Sequence, residues 1–353
     1  MKHTSWEAVM AHDLKHGKKK SRRLLLITIV VVILAIIIIP IAYILHLVQK
    51  TNYDNSMDEE IITNEEIAAE DTQTGYQNFV IFGVDSRSNV LTSGTRSDTI
   101  MIVSINKDTK QIKLCSVYRD TYVNIPNSSW TKINHAYAKG GYSLALSTIN
   151  TNFDLDINQY VTVNFYAVTK VIDLLGGITL DITQDELKWL NGYVRENNRV
   201  NGTNDPGLTH SGTQTVTGTQ ALAYARIRYT SGGDFKRAER QRIVVDKIFE
   251  KAKEADLVTI NRIINEMLPE ISTNINTYDI LTLAKDMFSY ELTESVGFPF
   301  ENTITKIHGV SYVVPVNYTE NVRRLHEYLF GELNYNPSSK VTENSAYLSS
   351  LGY

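Results

Sequence analysis

Residues 96–120 run R-S-D-T-I-M-I-V-S-I-N-K-D-T-K-Q-I-K-L-C-S-V-Y-R-D. Thr99 to Ile105 is apolar on both faces, the pattern of a strand covered on both sides. Asn106-Lys107-Asp108-Thr109-Lys110 is turn material, and Gln111 to Tyr118 resumes as an alternating strand. Upstream, Phe79 to Val84 is a third short apolar run and leads into Asp85. Pairing these three as an antiparallel meander has a chemical consequence. The first strand ends at Asp85, the second begins at Arg96-Ser97-Asp98, and the third ends at Arg119-Asp120. All of these fall on one edge of the sheet, with the 106–110 turn at the other. As isolated edge ion pairs they would be worth little.

Farther along, Lys132-Ile133-Asn134-His135-Ala136-Tyr137 leads through Gly140-Gly141 to a helix near 142–150. Tyr160 to Val163 is the next strand and Phe165 to Leu175 a helix that Gly176-Gly177 ends before the strand Ile178 to Ile182. Strands alternating with helices predict an α/β domain, a mixed and largely antiparallel central sheet with helices on both faces. Residues 184–215 are polar and contain glycine, which predicts a surface excursion. Helices are expected near 217–224, 234–253, 256–267 and 277–288, then a strand from Tyr312 to Val316. Asn317 with Glu320 has the spacing of a capping box for a helix over 318–329.

A second concentration of chemistry lies at Tyr224 to Gln241, Y-A-R-I-R-Y-T-S-G-G-D-F-K-R-A-E-R-Q. Arg226 and Arg228, two apart, share a face if the segment is extended, with Ile227 opposite. After Gly232-Gly233, Asp234 is a good N-cap for a helix toward Lys253. The apolar arc of that helix is Ala238, Val244, Val245, Ile248, Phe249 and Ala252, and Arg237 and Gln241 fall inside it. An arginine on a buried stripe needs a partner, either a carboxylate or a bound anion whose oxygens match the guanidinium fork.

The N-terminal part sets the organisation. Lys15, Lys18, Lys19, Lys20, Arg22 and Arg23 precede Leu24 to Leu45, a run with no charged side chain. Such a run is long enough to span a bilayer core of about 30 Å, and the basic flank places the N-terminus in the cytoplasm. The expected order is therefore a basic cytoplasmic tail (1–23), a transmembrane helix (24–46) and an acidic extracytoplasmic linker (47–75). A large extracytoplasmic domain (76–334) and a C-terminal tail (335–353) follow. The net charge of -4 gives no case for a polyanionic partner. The basic tail is explained by membrane orientation, so no nucleic-acid partner is expected. The lone cysteine, Cys115, sits in a strand pattern and is expected to be a small buried side chain rather than a nucleophile. No Walker A loop, zinc spacing or G-x-S-x-G elbow is present, and His135 is expected to be structural.

The ordered motifs resemble the LytR-CpsA-Psr family of bacterial cell-wall enzymes. They are Gly83-x-Asp85-x-Arg87, Arg96-Ser97-Asp98-Thr99, Arg119-Asp120, Lys132-Ile133-Asn134-x-Ala136, Gly140-Gly141 and Gly176-Gly177. Ala221-Leu222-Ala223-Tyr224-Ala225-Arg226-Ile227-Arg228 and Asp234-Phe235-x-Arg237-x-x-Arg240-Gln241 complete the set. The resemblance implies a membrane-anchored phosphotransferase of a Gram-positive-type bacterium. Its donor would be a glycopolymer (wall teichoic acid, capsule or another secondary polysaccharide) carried on undecaprenyl-pyrophosphate. Its acceptor would be peptidoglycan, at the 6-hydroxyl of N-acetylmuramic acid. The resemblance also implies that Arg96, Arg119, Arg226, Arg228, Arg237 and Gln241 hold the pyrophosphate, that Asp85 and Asp98 hold Mg²⁺, and that some helices line a pocket for the polyprenyl chain.

The chemistry agrees, because displacement at a pyrophosphate needs arginines and a hard cation to neutralise charge. Asp98, with Arg96 and Arg119, forms the expected catalytic set, Asp98 taking the acceptor hydroxyl's proton. Lys132, Asn134, Asp234 and Arg240 are expected in support. The same anion site would serve a non-catalytic polyprenyl-pyrophosphate binder, a hydrolase or a membrane-bound regulator, so the residues alone leave those alternatives open.

Overall fold

The computed structural model describes residues 47, 52–53, 60–68, 73–84, 91 and 94–353. The expected basic tail, the transmembrane helix and about half of the linker lie outside these residues, as does Asp85. Among the described residues no helix is long and apolar enough to cross a membrane.

In chain order the elements are β1 (Asn52–Tyr53), α1 (Glu65–Ala68), β2 (Tyr76–Val84), β3 (Ser97–Asn106), β4 (Gln111–Val117), β5 (Tyr122–Asn124) and β6 (Trp130–Lys132). Then come α2 (Asn134–Phe153), β7 (Gln159–Asn164), α3 (Phe165–Leu174), β8 (Ile178–Ile182), α4 (Gln184–Asn201) and β9 (Gly212–Val216). Next are α5 (Gly218–Ala225), α6 (Gly233–Glu254), α7 (Leu257–Met267), β10 (Ile271–Thr273), α8 (Thr277–Asp286), β11 (Glu291–Leu292) and β12 (Val296–Phe298). The chain closes with β13 (Asn302–Ile307), β14 (Val310–Pro315), α9 (Tyr318–Phe330) and α10 (Ser339–Ser350).

The central sheet runs β1-β10-β7-β2-β3-β4-β11, with β12 also on β4. The meander of β2, β3 and β4 is antiparallel, while β7 joins β2 and β12 joins β4 in parallel, so the sheet is mixed. Alternation along β3 explains why residues 100–103 are apolar on both faces. Ile100 and Ile102 face a core with Tyr137, Leu146 and Phe153 of α2 and Leu325 and Leu329 of α9. Met101, Val103 and Ile105 face the other side, toward Val245 and Phe249 of α6 and Leu283 of α8. That second side is less well covered: Val245, Phe249 and Leu283 are only half-buried.

Several local expectations are corrected. Residues 184–215 are not a surface excursion but α4 and β9, with Thr183 and Glu186 forming a reciprocal capping box at the start of α4. Glu186, Leu190, Val194 and Asn197 form its buried stripe at helical spacing. The Asn317–Glu320 capping box does not form. Asn317 sits at φ +52° with no side-chain cap, and the Glu320 carboxylate lies 3.6 Å from Arg323 instead. Residues set off as a C-terminal tail include α10, whose Val341 and Leu348 are buried. Ser338, its cap, donates to the buried carboxylate of Asp154 at 2.6 Å, and Asn64 of the linker donates to the same Asp154 Oδ1 at 2.6 Å. Gly218 is required by contact: a Cβ there would lie 2.1 Å from the Thr169 carbonyl of α3.

Candidate active site

The meander brings Asp98 at the start of β3 beside Arg119 just after β4, as the strand order predicts. Arg119 donates to Asp98 Oδ1 at 2.5 Å and to Asp234 Oδ2 at 3.3 Å. Asp234 does not cap α6; Gly232 holds that position at φ +92°. Gly233 follows at φ +52°, and two consecutive left-handed residues are what glycines supply. The turn they make leaves the Asp234 carboxylate free for arginines rather than for the helix end. Arg237 lies 3.1 Å from it, and Arg228 lies 3.6 Å from Asp98 and 3.9 Å from Asp234. The Tyr118 ring meets Phe235 edge-on at 4.5 Å, fixing the end of β4 against the first turn of α6.

Arg237, 3% exposed, answers the question its place on the buried stripe raised. Its partners are Asp234 and the Asp98 backbone carbonyl, which accepts at 2.5 Å. Three guanidiniums therefore meet two carboxylates, and the cluster carries excess positive charge. Burial pulls the Arg237 pKa down, as do Arg119 and Arg228, to about 10, so it stays cationic. Burial alone would raise the Asp98 carboxyl, but Arg237, Arg119 and Arg228 together outweigh it and hold Asp98 below the usual carboxylate range.

Two cavities meet at Asp98 and Arg228, which line both. The larger, about 700 Å³, is walled by Thr95, Arg96, Arg119, Asp120, Lys132 and Asn134, with His135 and Val310. The smaller, about 220 Å³, adds Arg226, Arg237, Gln241 and Glu196, with Phe165, Tyr193 and Tyr229. The six residues expected around one anion are thus divided. Arg228 is common to both cavities, Arg96 and Arg119 lie on the larger side, and Arg226, Arg237 and Gln241 lie on the smaller. Arg96 makes no ion pair among the described residues, whereas Lys132 pairs with Asp120 at 3.1 Å.

Arg226 reaches its cavity differently from the extended geometry expected: it is the helical C-cap of α5. Its guanidinium donates to Asn197 at 2.5 Å and Glu196 at 3.0 Å, and lies 5.3 Å from the Tyr193 ring centre. All three partners sit on α4. The polar composition of 184–215, which predicts a surface excursion, conceals them, although the Thr183-x-x-Glu186 cap and the period of the buried stripe are both present in the sequence. His135, expected to be structural, stands in the wall of the larger cavity. Burial lowers its pKa, and Arg96, Lys139 and Lys132 add to that, so it is neutral near pH 7. Cys115 is fully buried, and burial pushes its thiol up to about 12, which excludes it as a nucleophile.

Arg240, placed in a supporting role, is 1% exposed and touches neither cavity. It donates to Glu186 at 2.8 Å, to the Ile227 carbonyl at 3.1 Å and to Thr230 at 2.6 Å. It pins the segment carrying Arg228 between α4 and α6. Arg240→Ala strands the Glu186 carboxylate and is expected to cost about 3–5 kcal/mol of stability. A denaturant melt of the variant checks this; an unchanged midpoint would show the pair to be dispensable.

Fold and site together define a mixed-sheet α/β domain with an arginine cluster between two cavities. The LytR_cpsA_psr family model matches residues 43–324, and the chain belongs to that family. The polyisoprenyl-teichoic acid–peptidoglycan teichoic acid transferase TagU of Enterococcus faecalis is 33% identical over 202 residues, 56% of this chain and 60% of that protein. The chain thus spans about 60% of that relative's length. A structure of TagT bound to LI-WTA superposes with a TM-score of 0.60 at 24% identity, covering 79% of this chain and 98% of the other. A second TagT structure, with bound octaprenyl pyrophosphate lipid, gives 0.56 at 23%, covering 78% and 98%. At these identities the structural likeness establishes the fold.

Proposed function

We propose that this chain is a phosphotransferase that moves a glycopolymer from a polyprenyl-pyrophosphate carrier onto peptidoglycan, anchored to the cell membrane through residues 24–46 with its domain outside. The observation that carries this is the convergence of Arg119, Arg228 and Arg237 on Asp98 where two cavities meet. The E. faecalis relative is named for the same kind of transfer, and the lipid-bound TagT structure supports the donor class. The half-buried apolar side chains that α6 and α8 turn to the sheet, Val245, Phe249 and Leu283, are proposed as the lining for a polyprenyl chain. The donor polymer is proposed as teichoic acid or another secondary polysaccharide, and the acceptor as the 6-hydroxyl of N-acetylmuramic acid.

In the reaction, the acceptor hydroxyl oxygen attacks the glycan-side phosphorus. The bond from that phosphorus to the bridging oxygen breaks, polyprenyl monophosphate leaves, and a phosphodiester to the acceptor remains. The negative charge on the transferring and leaving phosphates is met by fixed guanidiniums, which need no reorganisation during the step. Asp98 takes the hydroxyl's proton. In the free protein three arginines keep it ionised and weakly basic. Phosphate oxygens compete for Arg119 and Arg228, and the burial of Asp98 then acts with less opposition and raises its basicity where the hydroxyl arrives.

Mg²⁺, when bound, would supply further charge neutralisation at the phosphates. Asp98 is the described carboxylate at the junction, and the Ser97 hydroxyl next to it is buried without a hydrogen-bond partner. No group of three acidic, His or Cys side chains is present among the described residues. Mg²⁺ takes one or two carboxylates and completes its shell with phosphate oxygens and water. Asp98 would hold it, and Asp85 is the second expected ligand. Chelation is expected to abolish transfer and added Mg²⁺ to restore it, measured as phosphodiester product. Full activity after exhaustive chelation would remove the metal from the scheme.

A further inference from the structure

We infer that Tyr229 and Trp189 form an aromatic platform at the rim of the smaller cavity, against which the donor lays the pyranose ring joined to its glycan-side phosphate. This rests on the donor class proposed above. Tyr229 is 67% exposed, yet its backbone is fixed. It lies between Ile227 and Thr230, and the buried Arg240 guanidinium holds both, at 3.1 and 2.6 Å. A ring kept in water on a fixed backbone loses little conformational freedom when it meets a ligand. A single exposed apolar side chain would need no explanation. This one is paired: the Trp189 ring of α4 lies 4.8 Å away, centre to centre, with the planes inclined at 35°.

Helix α4 leads from that pair to the arginines. Trp189, Tyr193 and Glu196 are spaced four and three residues apart, so they share one helix face. The Tyr193 ring lies 5.3 Å from the Arg226 guanidinium, and Glu196 pairs with it at 3.0 Å. The stripe therefore starts with rings at the rim and ends at a cation inside the cavity, whose wall includes both Tyr193 and Tyr229. A phosphate held by Arg226 and Arg228 brings the group it carries to Tyr229, the residue after Arg228. On one side of the pyrophosphate that group is a sugar, on the other an isoprenoid. Exposure decides between them. An isoprenoid gains by leaving water, which a mostly exposed ring does not provide and the half-buried Val245, Phe249 and Leu283 do. A pyranose offers an apolar C–H face to a ring and keeps its hydroxyls hydrated, and tyrosine and tryptophan rings suit such a half-wet contact. At about 220 Å³ the cavity is smaller than sites that enclose a whole ligand, so the sugar extends over the rim.

The full chain in detergent micelles would be titrated, without acceptor, with a polyprenyl-pyrophosphate disaccharide and with the same polyprenyl pyrophosphate lacking sugar. Tyr229→Ala is expected to weaken binding of the sugar-bearing donor about tenfold, the size of one aromatic face lost, and to leave the sugarless lipid within about twofold. Tyr229→Phe keeps the ring and should bind both lipids as the wild type does. Both variants should melt near the wild type, because the side chain is mostly in water. In steady-state transfer Tyr229→Ala should raise the donor KM and leave kcat within about twofold, since the ring meets the sugar equally before and during the step. An equal loss for both lipids would overturn the platform by placing the ring on the isoprenoid or the phosphates. Unchanged binding of the sugar-bearing donor would overturn it outright. A selective loss with no phosphodiester made by the wild type would keep the platform and remove the transferase function.

Discussion

Arg228→Ala is expected to lower kcat/KM for transfer by about 10³-fold, the loss typical of removing one preorganised donor from a developing anion. Arg228 is the one guanidinium that lines both cavities, so it is placed to follow charge as it moves from the bridging oxygen to the leaving phosphate. The fold should not notice its removal. Its side chain is 40% exposed and its ion pairs are long, 3.6 and 3.9 Å, and pairs of that kind contribute little to stability. Arg228→Lys should recover little activity, because an ammonium cannot bridge two oxygens as a planar fork does. Steady-state transfer beside a thermal melt separates the two effects. A variant that transfers at the wild-type rate would take Arg228 out of the site.

Asp98→Asn should move two quantities in opposite directions. Turnover is expected to fall by about 10²–10⁴-fold, the usual contribution of a positioned base. Donor binding measured without Mg²⁺ should tighten, because the guanidiniums of Arg119, Arg228 and Arg237 lose the carboxylate that partly neutralises them. A structural role alone would weaken both. The pH dependence follows from the same contacts. Transfer needs Asp98 ionised, so activity is present above its pKa and lost as pH falls through it. In the free protein the three arginines hold that pKa low, so the acid limb of kcat/KM should lie below the usual carboxylate range. With donor bound, Arg119 and Arg228 are shared with phosphate and the acid limb of kcat should lie at higher pH. Coincident limbs would show that the donor does not compete for these arginines.

The meander was legible because its chemistry is local: a doubly apolar strand, a polar turn and an alternating strand place Arg96, Asp98, Arg119 and Asp120 at one edge by strand order alone. Arg237 was legible for a related reason, since a cation on an apolar helical arc demands a partner. What escaped was set by tertiary contact. Asp234 reads as a cap from its neighbours, but three arginines arriving from β4, the α5–α6 connection and α6 claim its carboxylate. Asn317 reads as a cap as well, yet its backbone is left-handed and the motif cannot close. Helix α4 was hidden by its polarity, although its buried Glu186 and Asn197 are there to hold Arg240 and Arg226. The partition of the arginines between two cavities has no sequence signal, because it depends on which side of Asp98 each element packs.

The bond that forms distinguishes transfer from hydrolysis and from binding alone. The full chain would be incubated with a polyprenyl-pyrophosphate disaccharide, Mg²⁺ and a peptidoglycan oligomer, and the products followed by ³¹P NMR and mass spectrometry. One phosphodiester between donor sugar and oligomer is expected for each polyprenyl monophosphate released. Release of sugar phosphate to water with no adduct, or tight donor binding with no product across several acceptors, would contradict it.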